Sequence, residues 1–320
     1  MNIPITEIAL SLWVVCAVLI VFTKKMYRII ITFGVFSLIG ALSYLFLGSP
    51  DVAMAEAAVS AFVTIFFIVC IERYYKFGMG LEDEQAEEKV KFSAKSVGRI
   101  LAPTGFCVGL FWLAMQHLPM DDAVTVLRDQ YLARFMYDVG GMNAVASIVL
   151  GYRVYDTLFE ALLLVVSVVA VAHVSWYDKA EMIDRRHSEI KNSGVARFTM
   201  RVVCPIIIIF GAYIIANGHL TAGGGFQGGL AIATFFICRY LVYDINDLPI
   251  AKVMRMEKLV FVNITILPVL AVFTGVTYFA TYILPLTSDV YLVAMNILIG
   301  FKVACGFFVL FYRFVAIERW

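Results

Sequence analysis

The chain has 320 residues, 62% hydrophobic and 15% charged, with a mean hydropathy of +0.88 and a formal net charge of +1. An ordinary soluble domain carries about 25% charged residues, so this composition excludes a soluble globular fold and points to a bilayer. The net charge itself says nothing about partners, because the charges are sorted by position, but no basic patch interleaved with aromatics points to nucleic acid, and none is expected as a partner.

A transmembrane helix needs about 20 mainly apolar residues. In chain order such stretches fall at 3–22, 27–47, 51–71, 100–118, 154–174, 202–217, 225–243, 259–284 and 290–312. The first lacks a basic leader and holds Glu7, so it reads as a retained helix rather than a cleaved signal. The sixth is short and contains Pro205, so its start is expected to extend back towards Phe198. The eighth is long enough to tilt. The expected fold is all-α: a polytopic membrane protein of about nine transmembrane helices.

Basic residues set the orientation, because cytoplasmic loops carry excess Lys and Arg. With the N-terminus outside, the inner segments are 23–28, 72–99, 175–201, 239–258 and 313–320, with 3, 6, 6, 4 and 2 basic residues. Outside lie only Arg128, Arg134 and Arg153, and Lys302 falls within the ninth span. The alternation predicts the N-terminus outside and the C-terminus inside.

Two long inner linkers, around 72–99 and 175–201, divide the spans into groups of three, two and four. Three fused modules are expected: 1–85, 86–190 with an outer segment at 119–153, and 191–320. Within the outer segment, 143–150 is too short to span and reads as a short helix lying in the interface or dipping into the protein. Segment 72–99, with its acidic run at 82–88 followed by Lys89, Lys91 and Lys95, reads as a solvated linker or short surface helix rather than a binding site. The six cysteines lie in or beside apolar stretches without ligand spacing, so they read as packing residues.

Ionisable residues inside a membrane are costly and normally face the protein interior or water. The candidates are Glu56 in the third span, Glu160 in the fifth, Lys302 near the middle of the ninth, and Glu7 near the end of the first. Ala53, Ala57, Ser60 and Thr64 share one helical face bordered by Glu56, and small residues let a neighbouring helix approach closely. Burial disfavours a charged carboxyl, so a Glu held between helices can take and release protons near neutral pH. The competing reading is a structural Glu hydrogen-bonded to a neighbour. Asp156, Glu160 and Ser167 form a polar stripe on one face, suited to an ion path or to polar helix packing. Lys302 needs an acidic partner or a water cavity. Asn263, Thr274, Thr277 and Thr281 share a face of the eighth span, read chiefly as interhelical hydrogen bonding.

The run Gly218-His-Leu-Thr-Ala-Gly-Gly-Gly-Phe-Gln-Gly-Gly229 contains a match to G-x-G-x-x-G. It is a decoy, because the dinucleotide fingerprint requires a preceding strand and this run joins two membrane helices. The glycines read as a tight turn and a close helix approach. His219 is a candidate proton-path group or an interface hydrogen-bonding residue, and His117 and His173, at span ends, read as interfacial. No nucleophile–base pair, metal-ligand cluster or phosphate loop stands out, so no cofactor and no catalytic centre are expected.

Three runs resemble known membrane proteins. Pro50-Asp-Val-Ala-Met-Ala-Glu-Ala-Ala-Val59 resembles the motif of the D component of membrane-bound hydrogenases, a module also present near the C-terminal end of the large A component of Mrp antiporters. Tyr137 to Glu160, with its Asn-Ala-Val and Asp-Thr-x-x-Glu elements, resembles the hydrogenase E component. Gly218 to Gly229 resembles the glycine motif of the Mrp B component, equivalent to the hydrogenase F component, with Ala222 where that family commonly has Pro.

The resemblance implies a fusion of the hydrogenase D and E modules with the Mrp B module. It also implies a place in a large assembly of the cytoplasmic (inner) membrane that exchanges Na+ for H+. Implied partners are C-like and antiporter-like membrane subunits, with Na+ and H+ as transported ions. Glu56 and Glu160 fall on the acidic positions of the family's ion pathway, which Asp156, Lys302 and His219 are expected to join. The rival expectations are a structural adaptor that carries no ions, and a subunit of a redox enzyme whose active centre lies on other chains.

Overall fold

The computed structural model describes residues 5–23, 25–74, 105, 108–110, 112–113, 123–174, 194–242, 250–273 and 288–315. Their helices are α1 (Ile5–Phe22), α2 (Met26–Phe46), α3 (Pro50–Tyr74), α4 (Ala123–Asp138), α5 (Ala144–Ser147), α6 (Val154–Val174), α7 (Gly194–Asn217), α8 (Gly225–Val242), α9 (Ile250–Phe273) and α10 (Ser288–Val315). A π-helical turn, Ile148–Tyr152, joins α5 to α6, and there is no strand among the described residues.

Among the described residues six helices are long and apolar enough to cross a membrane: α1, α2, the Pro50–Cys70 part of α3, Val154–His173 of α6, Arg197–Asn217 of α7 and Val290–Phe314 of α10. The molecule is an all-α, multi-pass membrane protein. Helices α8 and α9 lie where the seventh and eighth spans are expected. The fourth segment, 100–118, is largely outside the described residues.

The chain forms two compact units, Met1–Lys76 with Arg134–Trp320, and Phe77–Ala133. The smaller unit contains the first part of α4, with Val126, Leu127 and Leu132 exposed. In the larger unit, α8 and α10 form the core. Leu230, Ala233 and Ile237 of α8 and Leu292, Met295, Val309 and Phe311 of α10 are fully buried. Helix α10 packs on α3, α6, α7, α8 and α9, whereas α1 packs on α2 and presents Leu12, Val14, Val15 and Val18 outward. Lipid tails are as apolar as these side chains, so an exposed apolar face costs nothing in a membrane.

Close helix approach rests on small residues. A Cβ on Gly229 of α8 would collide with the Gly300 carbonyl oxygen of α10, and one on Gly34 of α2 would lie 2.9 Å from Thr64 Oγ1 of α3. The expected small face of α3 is used, with Ala53 and Ser60 buried.

Two expectations change. Helix α9 begins at Ile250, not at 259, so Glu257 belongs to a helix rather than to an inner loop. Ile250, Glu257 and Ile264 repeat every seven residues on its buried face, while Lys252, Arg255 and Lys258 are exposed. Asn263 does not bridge helices: it is exposed and its Nδ2 donates to Leu259 O of its own helix. Thr274, Thr277 and Thr281 lie outside the described residues.

Candidate ion-pathway site

The three motif runs meet at one end of the bundle. Asn143 caps α5, its Oδ1 accepting from Val145 N at 2.9 Å and Ala146 N at 3.3 Å. Its Nδ2 lies 2.9 Å from Asp51 Oδ1, 2.9 Å from Thr221 O and 3.2 Å from Gly218 O, so its two N–H groups serve three acceptors, one of them through a shared hydrogen. Asp51, in the first turn of α3, also accepts from Gly223 N at 3.1 Å. Gly223 has φ +134°, a conformation an L side chain rarely adopts. Beside this junction is an open cleft of about 370 Å³, lined by residues that include Pro50, Asp51, Asn143 and Thr221.

The segment 143–150 dips into the protein: Ala146, Ser147 and Leu150 are buried. The π-turn that follows frees carbonyls from the regular ladder. Thr157 Oγ1 donates to Val149 O at 2.8 Å, and Tyr291 Oη of α10 donates to Leu150 O at 3.0 Å.

Deeper in the bundle, Lys302 of α10 is fully buried, and its Nζ lies 3.4 Å from Glu257 Oε1 of α9, also fully buried. The ammonium is 5.9 Å from the centre of the Phe261 ring. Neither carboxylate oxygen nor the ammonium makes a well-directed hydrogen bond among the described residues, so this is an ion pair with unused hydrogen-bonding capacity.

Helix register relates this pair to the predicted acids. Phe62 and Phe66 of α3 meet Phe307 and Phe311 of α10, four residues on one helix matching four on the other, so the two helices run parallel. Five residues before Phe62 and Phe307 stand Ala57 and Lys302, which puts Glu56 within one residue of the lysine's level. On the other side, Leu164 of α6 is the side chain a Cβ on Gly306 of α10 would meet, at 2.9 Å. One turn earlier on each helix stand Glu160 and Lys302, which interact electrostatically. Glu56, Glu160 and Lys302 therefore lie at about one depth on three helices.

The other predicted residues separate. Glu56 is half-buried and has no ion-pair or hydrogen-bond partner among the described residues. Glu160 is exposed on this chain. Asp156, at the start of α6, is exposed and pairs with Arg153 at 2.9 Å. Ser167 donates to Leu163 O of its own helix at 2.9 Å. His219 is half-buried; its carbonyl accepts from Asn143 N at 2.9 Å, and its Nδ1 is buried without a partner among the described residues. Glu7 and His173 are exposed, and His117 lies outside the described residues. Among the described residues no three His, Cys, Asp or Glu side chains converge to hold a metal ion. Sequence reasoning missed Glu257, which lies between Arg255 and Lys258. Its place in the Ile250–Glu257–Ile264 repeat was the available signal.

Two family matches bear on these helices. Residues 195–312 match the domain related to the MnhB subunit of Na+/H+ antiporters, and residues 11–76 match MbhD, the D component of MBH. The chain is a membrane subunit of the Mrp/MBH type. Over 267 residues it is 22% identical to a probable K+/H+ antiporter A/B protein of Rhizobium meliloti, covering 74% of the chain but only 26% of that relative. This Mrp-type protein resembles a chain of the membrane-bound sulfane sulfur reductase, an archaeal respiratory membrane complex, with a TM-score of 0.59 and 29% identity over 69% of this chain and 100% of that one. It shares the fold of a chain of the Mrp complex from Dietzia sp. DQ12-45-1b, with a TM-score of 0.69 and 20% identity over 95% of this chain and 34% of that one. Both structural relatives are chains of membrane complexes.

Proposed function

We propose that this Mrp-type protein helps to build the proton and sodium pathway of a larger antiporter, standing alone or built into a respiratory complex of the cytoplasmic membrane. Glu56 and Glu160 are the ion-binding carboxylates, with Asp156, His219 and Lys302 on the route. The catalytic centre of any redox reaction lies on other chains. C-like and antiporter-like subunits cover the exposed faces. The chain crosses the membrane nine times with its N-terminus outside, in three modules, 1–85, 86–190 and 191–320.

The observation that carries this reading is the common depth of Glu56, Glu160 and Lys302. Three ionisable groups at one level of an apolar bundle are expensive and serve a purpose that packing does not require. The test is Glu56→Gln and Glu160→Gln, each in the assembled complex, with ion-driven proton movement followed in inverted vesicles. Loss of exchange with normal assembly supports the reading, and full exchange in both variants sinks it. Na+ and K+ are supplied separately, because the relatives' names differ in the cation.

A second reading, an adaptor that joins modules without carrying ions, is favoured by the Asp51–Asn143–Gly223 junction, whose polar groups are consumed in hydrogen bonds. The same two variants decide between them.

A further inference from the structure

The Glu257–Lys302 pair is more polar than packing needs. Replacing a buried ion pair by apolar residues of similar size is commonly neutral or stabilising, so the bundle would hold together without it. The pair is also incompletely satisfied: Lys302 has three N–H groups and one anionic neighbour at 3.4 Å, and Glu257 Oε2 has no partner among the described residues. A purely structural pair gains its stability from good geometry and full hydrogen bonding, and this one has neither.

From this geometry we infer that Glu257 is a proton-carrying residue and that Lys302 exchanges protons between it and Glu160. The row runs from the exposed face of α6, across α10, to the buried face of α9. Other titratable groups within electrostatic reach of Glu257 are Lys258 on the same helix and Cys305 of α10.

Proton balance favours such a row. At the start Glu160 is a neutral acid, Lys302 an ammonium and Glu257 a carboxylate. Lys302 gives a proton to Glu257: an N–H bond breaks, an O–H bond forms, and all three groups are neutral. Glu160 then gives its proton to the Lys302 amine, leaving a carboxylate beside an ammonium. The three groups together carry zero charge at every stage, so no step places an uncompensated charge in the low-dielectric interior, where its desolvation costs several kcal/mol. The reverse sequence is equally balanced. Glu257 thus extends the route sideways from Glu160 and Lys302 onto α9, whose first turns bear Lys252, Arg255 and Lys258.

This inference rests on the proposed ion pathway, and its test separates the two. In the assembled complex, Glu257→Leu with Lys302→Met removes both charges and keeps the volume. Normal assembly with exchange lowered about a hundredfold, the scale of a lost positioned proton carrier, is the expected result. Exchange within about twofold of the parent, well short of that loss, overturns it. Should the double variant fail to assemble, Glu257→Asp keeps the charge but withdraws the carboxylate. A proton carrier then gives slower exchange with a larger slowing in D2O, whereas unchanged rate and isotope effect overturn the inference. If Glu160→Gln stops exchange while the Glu257 variants do not, the inference fails and Lys302 leaves the route, but Glu160 stands as an ion-binding carboxylate. If Glu56→Gln and Glu160→Gln also leave exchange intact, both fail.

Discussion

Asn143 and Asp51, 92 positions apart in sequence, are joined by a hydrogen bond of 2.9 Å from the amide nitrogen to the carboxylate. The same amide group holds Thr221 O and Gly218 O, so three distant segments depend on one side chain.

Asn143→Ala removes a helix cap and three donated contacts. A cap is worth about 1 kcal/mol, and a hydrogen bond to a charged group about 1.5–3 kcal/mol. The expected outcome is a loss of about 2–4 kcal/mol on that scale, read as a lower thermal midpoint of the purified complex. Asn143→Asp is expected to be worse, because it sets a second carboxylate beside Asp51 and carbonyl oxygens.

The contact between α8 and α10 tolerates no Cβ at Gly229, where it would meet the Gly300 carbonyl oxygen. Gly229→Ala is expected to cost at least about 1–3 kcal/mol, the scale of overpacking, since backbone cannot rotate away. Gly194→Ala is the control, because no atom lies within 4 Å of its Cβ position. Folded yield by size-exclusion chromatography should fall for the first and hold for the second.

Tyr291→Phe leaves the Leu150 carbonyl of the π-turn without the phenol that serves it at 3.0 Å. A buried acceptor so orphaned costs about 1–3 kcal/mol. Faster amide exchange across 148–152 and a lower midpoint are expected. Thr157→Val, which removes the bond to Val149 O, should act in the same direction.

Asp156→Asn breaks an ion pair whose side chains are 60% and 54% exposed. Such pairs contribute about 0–1 kcal/mol, so the thermal midpoint should hardly move. A fall in exchange without a change in midpoint would place Asp156 on the ion route. Unchanged exchange would leave it a helix-start residue.

Much of the molecule was legible in the sequence. Apolar runs of bilayer length mark the helices at 5–22, 26–46, 50–74, 154–174, 194–217 and 288–315, because a membrane helix must satisfy its backbone within itself and cover it with apolar side chains. The motif residues Asp51, Asn143 and Gly223 were visible as well, but not that they touch. The α9 boundary was misplaced because Arg255 and Lys258 disguise Glu257: a one-dimensional reading sums charge along the chain, whereas a helix sorts it by face.

By itself, then, the sequence determined an all-helical membrane protein, its family, and which side chains are too polar to be there without a reason. Only the tertiary structure decided which of them meet. Lys302 needs a counter-charge, but nothing in its own helix names the donor, and Glu257 reaches it because α9 and α10 pack on each other. The parallel register of α3, α6 and α10, set by Phe62 on Phe307 and Leu164 on Gly306, brings Glu56 and Glu160 to the level of that lysine. Register between helices is a property of side-chain interlock across the contact, and no single segment contains it.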